Sequence, residues 1–71
     1  MTLLQVVAAY DGRDIDSAAI AAWTEAARRQ RWTFAEAADA VHQHYSAQTA
    51  WIMPGHVTQL IRRDRGRNWQ E

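Results

Sequence analysis

Residues 33–45 carry a helix start and a helix face in one run, and no other stretch limits the fold as strongly. Thr33 followed by Glu36 is a capping box, in which a hydroxyl serves the amide three residues on and a carboxylate reaches back. Trp32 before it and Ala37 after it stand at the staple positions. Phe34, Ala37, Ala38, Val41 and Tyr45 then fall at i, i+3, i+4, i+7 and i+11, the spacing of one helix face. A strand, whose side chains alternate every second residue, does not fit that spacing.

The flanking segments read the same way. Leu3, Val6, Val7 and Tyr10 follow i, i+3, i+4, i+7, and Asp11-Gly12 supplies a turn. Asp14, Asp16 or Ser17 then caps a second helix, whose expected inward face is Ala19, Ile20, Trp23, Ala26 and Ala27, with Glu25 paired to Arg28 or Arg29 outside. Residues 46–53 show no helical face, and Pro54 suits a first helical position, where its missing N–H is not needed. In that last helix Val57, Leu60 and Ile61 face inward, and Gly66 is expected to end or fray it. The expectation is an all-α bundle of four helices over about 2–9, 16–30, 33–46 and 54–66, one domain over 1–66 followed by a short tail over 67–71.

Length makes the core of such a domain marginal, because a chain of 71 residues buries only about 60% of the surface it exposes when unfolded. With no cysteine there is no disulfide or thiolate zinc site to help, so the core is apolar: 14 alanines around four Trp, two Tyr and one Phe. No apolar run approaches the ~20 residues that cross a bilayer, and the N-terminus lacks a charged segment leading into an apolar one. A soluble, cytoplasmic protein is expected.

Catalytic and metal chemistry find little support. His42 and His44, two apart on a helix, point about 200° away from each other and do not share one ion. They read as surface or boundary histidines, as does His56. Ser17 and Thr33 are taken up as caps, and no Ser/His/Asp grouping or glycine-rich phosphate loop is present. Asp11, Asp14 and Asp16 lack the calcium-loop glutamate, since the twelfth position from Asp11 is Ala22, and read as a solvated cluster at a helix start. The expectation is a protein that is not an enzyme and needs no cofactor or metal.

Binding has more to work with. Net charge is zero, yet residues 51–71 hold four arginines against two acids: Arg62, Arg63, Arg65 and Arg67 crowd the end of the last helix. They suit the helix dipole, and they also suit phosphates. For a helix-turn-helix, however, the 46–53 linker is long, and the residues near the last helix's N-terminus, His56, Thr58 and Gln59, hold the base-reading positions. Trp51 and Trp69 lie outside the helical stripes, where tryptophan marks either a contact surface or a ring folded back on the domain. The candidate partner-binding residues are Trp51, Arg62, Arg63, Arg65, Arg67 and Trp69.

Taken together, Trp23, the Thr33-Phe34-x-Glu36-Ala37 start, Ala40-Val41, His44-Tyr45 and Met53-Pro54-Gly55-His56-Val57 followed by Ile61-Arg62-Arg63 form a pattern over about residues 16–65. It resembles the phage replicative helicase loader/inhibitor family, as found in phages and prophages of high-GC bacteria. The resemblance implies a small all-helical adaptor that binds a hexameric replicative DNA helicase of host or phage. Such an adaptor restrains the helicase's ATPase and DNA binding, delivers it to an origin-bound initiator, and does no chemistry itself. In better understood relatives the helicase contact lies in a disordered extension beyond the helices. Here five residues follow the last expected helix, so either the contact has moved to the arginines and Trp69 or the domain is kept without loading. The alternatives are a small DNA-binding accessory protein using the arginine-rich helix, or a phage inhibitor of another host protein.

Overall fold

A computed structural model describes residues 2–69, with side-chain surroundings over residues 2–66. It is an all-α fold of four helices: α1 (Leu3–Asp11), α2 (Ser17–Gln30), α3 (Phe34–Ala47) and α4 (Pro54–Trp69). Each start has a visible cause. The Thr33 hydroxyl accepts from the Glu36 amide at 3.1 Å and the Glu36 carboxylate accepts from the Thr33 amide at 3.2 Å, the expected box. A second box opens α1, with the Thr2 hydroxyl accepting from Gln5 N at 3.3 Å and Gln5 Oε1 accepting from Thr2 N at 2.7 Å. At α2 the cap is Asp16, whose carboxylate accepts from Ala19 N at 2.7 Å; Ser17 is already inside the helix.

The ends also follow backbone rules. Gly12, at φ 72°, closes α1, where a left-handed residue returns its N–H to the Ala8 carbonyl. Arg31 does the same for α2 at φ 57° without being glycine. Gly66 does not end α4, which continues to Trp69. A lone glycine costs a helix about 1 kcal/mol and stops it only where the chain turns left-handed, which Gly66 does not do.

α3 is the central element, packed against α1 on one side and α4 on the other, while α4 also packs against α2. Val7, Val41, Val57 and Ile52 are fully buried, joined by Leu4, Val6, Trp23, Ala37, Ala40 and Ile61. Three expected faces are displaced: on α1 Leu4 is buried with Val6 and Val7, while Tyr10 is 48% exposed. On α3 the buried stripe is Ala37, Ala40, Val41 and His44, with Phe34 53% exposed at the first turn, because α3 presents its small residues to the neighbours on both sides. On α2 only Trp23 is buried, and Ile20 is 49% exposed, because α2 leans on α4 along a narrow seam. The Trp23 ring meets Trp32 edge-on at 6.2 Å, and Trp32 Nε1 donates to the Thr58 hydroxyl at 3.1 Å, tying the α2–α3 turn to α4.

Candidate functional site

The irregular segment 48–53 is held by a buried polar lock. Arg13, in the turn after α1, pairs with Asp11 at 2.6 Å, and both side chains are almost wholly covered. Arg13 Nη2 also donates to the Ile52 carbonyl at 2.8 Å. The Tyr45 hydroxyl donates to Asp11 Oδ2 at 2.6 Å and accepts from Ile52 N at 3.0 Å. Burial pushes the Asp11 carboxyl up, yet the hydrogen bonds from Arg13 and Tyr45 outweigh it and hold the group below the usual aspartate value. The reading of Asp11 as part of a solvated acid cluster is therefore corrected. An Asp-Gly-Arg turn places a carboxylate and a guanidinium within reach of each other, and burial follows because 48–53 folds over them.

Trp51 takes part in the same lock. The Arg13 guanidinium lies 4.9 Å from the Trp51 ring centre and 5.7 Å from that of Trp23, between two π-faces that favour a cation. The Trp51 ring remains 56% exposed. It covers a buried ion pair with one part of its surface and presents another to solvent.

Three arginines of α4 make contacts to other elements. Arg62 donates to Gln30 Oε1 at 3.0 Å and Arg63 to Gln43 Oε1 at 2.8 Å. Arg65 grips Glu36 with two bonds of 2.8 and 2.7 Å and also donates to the Arg31 carbonyl at 3.2 Å. The forked contact from Arg65, aided by the Thr33 amide, pulls the Glu36 carboxyl down to about 2. These three side chains bridge α4 to α2, to α3 and to the turn between them. The side chains of Arg67 and Trp69 lie outside the described surroundings.

His44 is buried, which corrects its reading as a surface or boundary histidine, and its Nε2 donates to the Ala50 carbonyl at 2.6 Å. The His42 ring bonds the Tyr10 hydroxyl, and His56 Nδ1 accepts from Met53 N at 2.9 Å at the start of α4. Among the described residues no three His, Asp or Glu side chains group closely enough to hold a metal ion, and no helix is long and apolar enough to cross a membrane.

Two of the concave surfaces among the described residues bear on binding, neither legible as such in the sequence. One is an apolar groove of about 560 Å³ between α1 and α2, lined by Leu3, Leu4, Ile15, Ile20 and Trp23 with Thr2, Gln5 and Thr24 at its margin. The signal for it is the exposure of Ile15, in the segment before α2, and of Ile20, on α2 itself. The other is a polar cleft of about 500 Å³ between the end of α3 and the start of α4, with Arg63, His56, Gln48 and Gln59 in its walls. Compared with protein-family models, with curated proteins and with solved structures, the chain matches none.

Proposed function

We propose that this protein is a non-catalytic adaptor that acts by binding another protein, and that the partner is a replicative DNA helicase, which it loads or inhibits. The observation that carries the binding reading is the α1–α2 groove, where aliphatic side chains of a small domain stay in water at a concave surface. Support for the helicase as partner comes from the residue pattern over about 16–65 and its resemblance to the loader/inhibitor family. The forked pairing of Arg65 with Glu36 takes one guanidinium out of the arginine row that a DNA reading would use, which supports a protein partner.

The test is a titration of the purified replicative helicase hexamer with this protein, followed by calorimetry, at low and high salt and without nucleic acid. A stoichiometric complex that persists at high salt and is lost in Ile20→Asp supports the reading. Absence of a complex overturns the helicase as partner. If no helicase complex forms and a parallel titration with duplex DNA shows binding that is lost with added salt and in Arg62→Ala but kept in Ile20→Asp, the accessory DNA-binding function replaces it.

A further inference from the structure

The cleft between α3 and α4 has a chemical character independent of the groove and of the adaptor reading. Its walls carry one guanidinium, two histidine rings and three glutamines, and no carboxylate. Asp39 and Asp64, outside the walls, accept from the Nε2 amide of Gln43, whose Oε1 accepts from Arg63. That arrangement orients the guanidinium while leaving most of its five N–H groups without a partner among the described residues.

The histidines are fixed in complementary states. His56 Nδ1 accepts from Met53 N, so its Nε2 carries the hydrogen and remains a donor. His44 spends its Nε2 hydrogen on the Ala50 carbonyl, and the two rings lie 5.2 Å apart. The side-chain amides of Gln48 and Gln59 have no partner among the described residues. Side-chain donors thus outnumber side-chain acceptors in the walls, to which Leu60 and Ala47 add apolar surface. The volume of about 500 Å³ lies in the range of small-molecule sites.

We propose that this cleft binds a small organic oxyanion, a phosphate or carboxylate group on an apolar body, held by Arg63, His56 Nε2–H and the amides of Gln48 and Gln59. The planar guanidinium offers two parallel N–H bonds to two oxygens, the imidazole and amides complete the set, and the apolar surface takes the carbon part.

The experiment is an amide and side-chain NMR titration of the full chain at constant ionic strength with phenyl phosphate, benzoate, inorganic phosphate and chloride. Expected are saturable shifts confined to Gln48, His56, Gln59 and the Arg63 Nε–H. Phenyl phosphate or benzoate should bind about tenfold more tightly than inorganic phosphate, since burying roughly 55 Å² of ring at 25 cal/mol per Å² corresponds to that factor. The stronger of the two aromatic anions identifies the head group. Arg63→Gln should weaken binding at least tenfold with the fold's spectrum intact, and Arg28→Gln, remote on α2, should leave it unchanged. Shifts spread equally over Arg28, Arg29 and Arg63, shifts equal with chloride, or a response only to a single-stranded oligonucleotide would each overturn the proposal.

Discussion

The hydroxyl of Tyr45, near the end of α3, donates to the carboxylate of Asp11, at the end of α1, across 34 positions of sequence. Because the same oxygen accepts from the Ile52 amide, one phenol fixes where α1 ends, how α3 faces it and where the chain runs before α4. The Tyr45 ring also stacks on Tyr10 at 5.0 Å, which holds the phenol in place from the α1 side.

Arg13→Ala should be the most damaging polar substitution. It leaves Asp11 buried without its cation and frees the Ile52 carbonyl, and removing one partner of a buried pair costs about 3–5 kcal/mol. Domains of this size have little more than that in total stability, so urea denaturation should show a chain largely unfolded at 25 °C. Tyr45→Phe, which keeps the ring and loses two hydrogen bonds, should cost about 1–3 kcal/mol and leave a cooperative transition. A Tyr45→Phe midpoint equal to wild type would show that water replaces the phenol without loss.

Acid should weaken the α3–α4 seam over a defined window. The Glu36 carboxyl is held at about 2 in the folded chain, below the ordinary glutamate value of about 4.3. A depressed value means that the contribution is fully present above the unfolded value and is lost as pH falls through about 4.3 towards 2. Melting temperature followed from pH 6 to pH 2 should therefore decline in that interval, and less steeply in Glu36→Gln, which keeps the capping acceptor but not the charge. Asp11, also held below its usual value, adds to the decline in both proteins.

Arg31→Gly should stabilise the protein. Arg31 sits at φ 57°, where a side chain costs roughly 1 kcal/mol and glycine costs none. Its carbonyl, which accepts from Arg65, survives the change. A gain of about 0.5–1 kcal/mol in chemical denaturation is expected, and a loss would mean that the Arg31 side chain has a role beyond its backbone.

Two substitutions separate folding from binding. Val41→Asp places an unpaired charge at a fully buried position and should abolish cooperative unfolding. Ile20→Ser changes a half-exposed position and should move stability by less than about 0.5 kcal/mol. Circular dichroism melts check both, and the helicase titration reads whether Ile20→Ser weakens the complex at unchanged stability.

Helix number and starts were legible because they depend on neighbours in sequence: Thr33 with Glu36, Pro54 at a first position, Gly12 after Asp11. The direction in which α2 faces was not legible, because Ala19, Ile20, Ala26 and Ala27 form an apolar stripe whether or not another helix covers it. Ile52 escaped notice because it sits in an irregular run with no period, although it is fully buried. The Asp11–Arg13 pair and the donor role of His44 depend on where 48–53 folds back, which no local pattern encodes. Arg62, Arg63 and Arg65 stood out as a cluster, but their partners Gln30, Gln43 and Glu36 lie 20 or more positions away, beyond the reach of helical spacing.

The packing order α1–α3–α4–α2 places the first two helices at opposite ends of a chain of seams, although a short turn joins them. The groove between them therefore has one wall mounted on α3 and the other on α4. A change in how those two helices pack would reach both walls at once, as movement at the pivot of a pair of pliers reaches both jaws. Arg65 and Glu36, paired in the α3–α4 seam, thus bear on a surface that neither of them lines.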